Sequence, residues 1–242
     1  MSNKKLTDSN PYIIIYSCLM VVVVAFLLAF VSSVLKPTQD VNVALDKKKQ
    51  ILAALGERDL SDEEGTAKYA EMVEADDIID TEGNVVTEGE KGGEKAGFAL
   101  NSADYKAGRL AVFVCRVGGE RKYVLPLYGM GLWGPVWGYI AVNADGRTIY
   151  GAYFNHEGET AGLGAEIKDS REWQQKFEGK KIFDADMKPV IRVCKQSEVK
   201  NPESEVDAVT GATLTSNGVS DMLREGFGKY VKYLKRQSNG NK

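Results

Sequence analysis

The residues best placed for chemistry are Asp207-Ala208-Val209-Thr210-Gly211-Ala212-Thr213-Leu214-Thr215-Ser216. Behind them Val219, Met222, Leu223, Phe227, Tyr230, Val231 and Leu234 recur at helical spacing, which predicts a long amphipathic helix beginning near Ser216. Ser216 or Thr215 would cap it. Just before the helix, Gly211 lets the backbone come close to a ligand, and free first-turn N–H groups with the helix dipole favour a negative group such as a phosphate. Thr210, Thr213 and Thr215 crowd the same turn. A threonine hydroxyl there could donate a hydrogen bond or carry an ester, and residue types leave both open.

Two glycine-bearing stretches could complete a site. In Leu127-Tyr128-Gly129-Met130-Gly131-Leu132-Trp133-Gly134-Pro135-Val136-Trp137-Gly138, four glycines and a proline predict an irregular segment. Its Trp133 and Trp137 could stack on a flat ring or plug a core. In Glu159-Thr160-Ala161-Gly162-Leu163-Gly164-Ala165-Glu166 the glycines free backbone N–H groups, and Glu159 and Thr160 add polar side chains. His156, close by, reads as a satisfied surface or core residue rather than a proton donor. With one His, three Cys and no Cys-x-x-Cys, no metal site is expected. Cys115 and Cys194 read as separate core thiols. There is no Gly-x-Ser-x-Gly, and the lone His argues against a hydrolytic triad. The Gly-x-Gly-x-x-Gly of Gly129-Met130-Gly131-Leu132-Trp133-Gly134 leads into the strand WGYIAVN and not into a helix, so no nicotinamide site is expected.

These residues need elements to hold them. Tyr12 to Leu35 form an uncharged run of 24 residues, long enough to cross a bilayer and too long to favour a cleaved signal peptide. Lys4 and Lys5 precede it, while Lys36 and Lys47-Lys48-Lys49 follow it. A lysine count alone would leave the following domain in the cytoplasm. From Gln39 to Leu55 a helical pattern runs between a cap at Asp40 and a stop at Gly56. Residues 57–95 carry fourteen acidic side chains against Arg58, Lys68, Lys91 and Lys95, and read as a solvated insertion with a floppy end. Then LAVFVCRV and KYVLPLY flank Gly118-Gly119-Glu120, and WGYIAVN and RTIYGAYFNH flank Ala144-Asp145-Gly146, as two hairpins. KPVIRVCK supplies another strand, and SREWQQKFEG a short helix capped by Ser170 with Trp173 and Phe177 inward. The expected fold is a single N-terminal transmembrane helix plus an α+β soluble domain with a mostly antiparallel sheet. Its parts are a tail (1–11), an anchor (12–35), a linking helix (36–56), an acidic insertion (57–97) and a cofactor domain (98–242). The net charge of −3 gives no sign of nucleic-acid binding.

Asp207-x-x-Thr210-Gly211-Ala212-Thr213 resembles the attachment motif recognised by periplasmic flavin transferases. That resemblance implies FMN joined through its phosphate to the Thr213 hydroxyl, with Asp207, Thr210, Gly211 and Ala212 forming the recognition motif and Leu214 beside it. Leu127-Tyr128-Gly129-Met130-Gly131-Leu132-Trp133 resembles a stretch of the family formed by the C subunits of Na+-translocating NADH:quinone oxidoreductases, which implies that Trp133 and Trp137 adjoin the flavin. The segment starting at Glu159 is similar to that family's Glu-Thr-Pro-Gly-Leu-Gly loop, with Ala161 in place of the proline. It implies ring contacts from Glu159, Thr160, Leu163 and Gly164. The resemblance covers nearly the whole chain. It implies an electron carrier with no complete activity alone, taking single electrons from an iron–sulfur centre and passing them toward quinone in a sodium-exporting complex. It also implies partner subunits, a flavin transferase during maturation, and a bacterial inner membrane with the domain on the periplasmic side, against the lysine count. The alternatives are the related G subunit of Rnf-type ferredoxin:NAD oxidoreductases, which shares the anchor, the Glu-Thr loop and the attachment motif, and a membrane-anchored scaffold without cofactor.

Overall fold

The apolar run is helical in the computed structural model, which describes residues 10–240. The tail's Lys4 and Lys5 lie outside the described residues. Helix α1 (Asn10–Ala54) is 45 residues long and does not break between anchor and linker. Pro37 lies inside it. Asp40, expected as a cap, instead pairs with Lys36 one turn earlier at 3.5 Å. A proline removes one N–H and crowds one carbonyl, yet the helix runs on through it. The stop falls as expected at Gly56, whose φ of +91° follows the last turn while Glu57 N–H returns to Leu52 C=O.

The chain forms two compact units, residues 1–46 and 47–242. In the first, the apolar part of α1 is long and apolar enough to cross a membrane, with a mean hydropathy of 3.0 over its best window.

The second unit is built on a six-stranded antiparallel sheet in the order β2-β1-β3-β4-β5-β6. The strands are β1 (Val73–Ile79), β2 (Val85–Thr87), β3 (Leu110–Val117), β4 (Glu120–Met130), β5 (Pro135–Asn143) and β6 (Ile149–His156). Both predicted hairpins form. Between β3 and β4 the turn is Gly118-Gly119, with φ of +57° and +85°, a pair of positive angles that only glycine adopts cheaply and that suits the twist of a two-residue hairpin. The segment 127–138, expected to be irregular, is mostly strand. Leu127↔Gly138, Tyr128↔Trp137 and Met130↔Pro135 stay in register, leaving only residues 131–134 as a turn. Pro126 and Pro135 are no obstacle at these ladder positions.

Short helices occupy two of the connections, α3 (Ser102–Lys106) before β3, and α4 (Glu166–Asp169) with α5 (Arg171–Gln175) after β6. The long helix α6 (Thr213–Gly240) covers one face of the sheet. Its Val219, Met222, Leu223, Phe227, Tyr230 and Leu234 join Leu125, Leu127, Val136, Ile140 and Phe154 in one apolar core. Gly129 and Gly226 let helix and strand close up, since a Cβ on either would come within 2.7 Å of Met222 or Leu127. The Tyr230 hydroxyl, fully buried, donates toward Ala111 C=O and Pro126 C=O at 3.1 Å. The opposite face carries residues 47–54 of α1, where Gln50 Oε1 accepts from Trp137 Nε1 at 2.9 Å.

Residues 57–97 are part of this layer rather than a solvated insertion. α2 (Asp62–Met72) starts with a Ser61–Glu64 capping box, and β1 follows it directly into the sheet beside β3. Asp76 on β1 is fully buried and accepts backbone N–H bonds from Glu90, Ala96 and Phe98, which folds the glycine-rich stretch back over the strand. Tyr69, Phe98 and Phe113 pack edge to face beneath it.

Candidate functional site

Helix α5 begins at Ser170, whose hydroxyl accepts from Trp173 N–H, and it buries Trp173 and Phe177 as expected. Trp173 Nε1 in turn donates to Asp207 C=O at 2.8 Å, and Lys176 Nζ donates to Asp207 Oδ2 at 2.8 Å. Asp207 closes β8 (Glu205–Asp207), which runs parallel to β7 (Arg192–Cys194). The attachment motif is thereby anchored at its first residue.

The turn that follows delivers Thr213 to the surface. Gly211 sits at φ +77° and faces the Leu163 side chain so closely that a Cβ would come within 2.8 Å of its Cδ2. The helix begins three residues earlier than its periodicity indicates, at Thr213. Neither predicted cap acts as one. Ser216 is buried in the first turn, where its Oγ accepts from Val209 N–H at 3.1 Å, and Thr215 Oγ1 donates to Glu159 Oε2 at 2.6 Å. The first helical bond runs from Ser216 N–H to Ala212 C=O, so the amides of Thr213, Leu214 and Thr215 open the helix without partners inside it. They offer donors to an anion beside the exposed Thr213 and Thr210.

Around this N-terminus several apolar side chains face solvent. Trp133 is 69% exposed, Met130 63%, Leu214 61%, Leu132 48% and Leu163 43%. Contacts hold them together: Gly218 on α6 lies against Met130 C=O, Gly131 against Glu159, and Gly211 against Leu163. On the flank where Thr213 meets Asn217, Ser220 and Arg224, a groove of about 520 Å³ runs to β7 and reaches Arg192 and Cys194. Exposed apolar surface beside unpartnered helix amides fits a flat ring carrying an anionic tail.

Thr213, Leu214, Gly211, Ala212, Thr210, Leu163, Gly164, Glu159 and Trp133 are gathered at this end of the molecule, with Asp207 at the root of the turn and Thr160 exposed on the adjoining loop. Trp137 is not among them. It alternates onto the α1 face of β5, bonded to Gln50, because a strand turns successive side chains to opposite faces and Val136 points to the core. Met130 and Leu132 lie in the stretch whose residue types predict an irregular segment, and nothing in that reading singles them out as exposed beside the site.

Glu198 and Asp221 line the groove beside Thr213, but among the described residues neither is hydrogen-bonded to the Thr213 hydroxyl. The Nδ1 of His156 accepts from Glu159 N–H at 3.1 Å, so that nitrogen is engaged and cannot serve as a base. Among the described residues no group of His, Cys, Asp and Glu could hold a metal ion. Cys115 and Cys194 are separate free thiols, and burial pushes the Cys115 thiol far above its usual range.

The family description "FMN-binding domain" matches residues 131–227 and places that stretch in the class of FMN-binding domains. The chain is 33% identical over 242 residues to the C subunit of the Na(+)-translocating NADH-quinone reductase of Haemophilus ducreyi, covering 92% of this chain and 93% of that one. The same protein of Pasteurella multocida is 33% identical over 224 residues, covering 83% and 85%. The crystal structure of the C subunit from Parabacteroides distasonis superposes with a TM-score of 0.75 at 38% identity, covering 83% of this chain and 96% of that structure. The chain belongs to the family of C subunits of the Na(+)-translocating NADH-quinone reductase.

Proposed function

We propose that this chain is the flavin-carrying electron-transfer subunit of a sodium-translocating NADH:quinone reductase, with FMN held by a phosphoester at Thr213 Oγ1. The observation that carries this reading is the exposed Thr213 at the opening of α6, beside three free helix amides and a rim of exposed apolar side chains. A bound flavin supplies one-electron redox chemistry. The chain's own residues bind and orient: the amides of Thr213, Leu214 and Thr215 face the phosphate, while Leu163, Leu214 and Trp133 offer apolar surface to the ring. Thr160 and the Gly164 backbone supply polar partners to the ring edge.

Attachment falls to an external flavin transferase, which reads Asp207-x-x-Thr210-Gly211-Ala212-Thr213 on a surface turn. A covalent link suits a domain on the periplasmic side of the inner membrane, where a dissociated cofactor would be lost. Other subunits of the complex donate and accept the electrons, the ring being left at the surface to meet them. The α1 anchor holds the domain at the lipid bilayer.

Intact-mass measurement of the chain co-expressed with a flavin transferase tests this directly, with peptide mapping of residues 196–224. A mass excess equal to FMN minus water on Thr213 is expected. Thr213→Ala should abolish the excess and leave thermal unfolding unchanged, since the side chain is exposed. An unmodified chain under these conditions would leave an anchored scaffold as the better account.

A further inference from the structure

Glu159 is 7% exposed, and the contacts of its carboxylate are unusual for a buried acid. Oε1 accepts from Trp133 N–H at 2.9 Å, and Oε2 accepts from the Thr215 hydroxyl at 2.6 Å. Its own N–H donates to His156 Nδ1 at 3.1 Å. Two glycines make room for it: a Cβ on Gly131 would lie 2.4 Å from Oε1, and one on Gly164 would lie 2.5 Å from Oε2 and 2.7 Å from Thr215 Oγ1. Neutral donors meet both oxygens. Among the described residues no Lys, Arg or His forms an ion pair with it.

Three segments therefore meet on one side chain: the β4–β5 turn through Trp133, the 157–165 loop that bears Glu159, and the first turn of α6 through Thr215. Burying a carboxylate without a cation is costly, and an apolar or amide side chain would hold the same segments at lower cost. That cost is understandable if the charge has a use. A negative charge fixed beside a redox group in a low-dielectric wall opposes the arrival of an electron, and its effect is stronger than it would be in water.

We propose that Glu159 is a positioning residue that locks the Trp133 turn and the start of α6 into one frame, and that its buried charge holds the flavin's reduction potential low. This rests on the flavin reading given above. It also reassigns the residue, for the carboxylate faces Trp133 N–H and Thr215 behind the site, where the sequence suggested a ring contact.

The test uses the full-length chain carrying covalent flavin, its loading verified by intact mass before any potential is measured. Absence of flavin on the parent chain at that stage would bring down the flavin reading itself, a result distinct from failure here. Glu159→Gln keeps the shape, because the amide oxygen can accept from Trp133 N–H and its NH₂ can donate to Thr215 Oγ1, while the charge is lost. Spectroelectrochemical titration should show the one-electron reduction equilibrium of Glu159→Gln shifted at least tenfold toward the reduced form, ~59 mV for a one-electron couple. A shift under twofold overturns the proposal. If Glu159→Gln does not fold, Thr215→Val removes the donor that fixes Oε2. That variant should change both the potential and the exchange rate of the Trp133 amide, and Thr215→Ser should restore both. An unchanged potential in Thr215→Val would then overturn it.

Discussion

Lys47 shows what a single residue costs when the fold needs it in a particular place. It lies beyond the apolar run of α1, where its ammonium donates to Phe98 C=O and, at 3.0 Å, to Leu100 C=O. Burial lowers its pKa to about 8, with the Asp76 carboxylate pulling weakly the other way. In the unfolded chain the same lysine titrates near ~10.4. Between these values the unfolded state binds more protons, so this residue penalises folding at pH 8 and progressively less as pH rises toward 10. The penalty should shrink by about 2 kcal/mol across that window. Buried tyrosines and Cys115 shift upward and act in the opposite sense, so the comparison must be with Lys47→Met. Urea unfolding of both chains from pH 7.5 to 10 should show the parent gaining on the variant as pH rises. A difference that is flat with pH would mean Lys47 is not buried as a charge.

At the scale of elements, the site depends on how closely α6 approaches the β4–β5 turn. Gly218, in the second turn of α6, faces Met130 C=O so tightly that a Cβ would lie 2.1 Å from the oxygen, with Gly131 Cα at 3.2 Å. The obstacle is backbone, which cannot swing aside as a side chain would. Gly218→Ala should gain helix propensity, about 1 kcal/mol in a free helix, yet lose more through displaced packing, for a net destabilisation of about 1–3 kcal/mol. It should also spread the Trp133 turn from Thr215 and lower flavin loading, read by thermal unfolding and intact mass. This approach is the kind of feature a sequence does not display. Elements fixed by local chemistry were legible: the Gly118-Gly119 hairpin, the Ser170 cap, the Gly56 stop, the amphipathic face of α6. Those fixed by distant partners were not. Nothing in Val73-Glu74-Ala75-Asp76-Asp77-Ile78-Ile79 alternates cleanly, because Asp76 is buried on backbone donors some fourteen to twenty-two residues away. Thr215 looked like a cap because its partner, Glu159, is 56 residues distant. Trp133 and Trp137 looked equivalent until the ladder set them apart, one on the turn and the other against Gln50.

On the scale of the whole molecule, the tension left by the sequence is the side of the membrane on which residues 47–242 fold. Lys47, Lys48 and Lys49 follow the apolar run and by themselves would hold the domain in the cytoplasm. Each has a place in the fold. Lys47 is bonded to two backbone carbonyls, Lys48 pairs with Glu94 at 2.6 Å while nearly buried, and Lys49 pairs with Asp62 at 2.7 Å. Their presence is thus explained by packing against residues 57–100, with no need for a topological role. Lys36 alone is left near the end of the apolar run to weigh against Lys4 and Lys5, and Asp40 pairs with it. Positive charge counted this way no longer opposes a periplasmic domain. A C-terminal alkaline phosphatase fusion, active only outside the cytoplasm, should be active on the full chain. A matched fusion to a fluorescent protein that matures only in the cytoplasm should be dark. Replacing Lys47, Lys48 and Lys49 by glutamine should leave that pattern unchanged while lowering the domain's thermal stability, because in this account the three lysines serve the fold. Active phosphatase appearing only after their removal would instead show that they set the topology, and would return the domain of the parent chain to the cytoplasm.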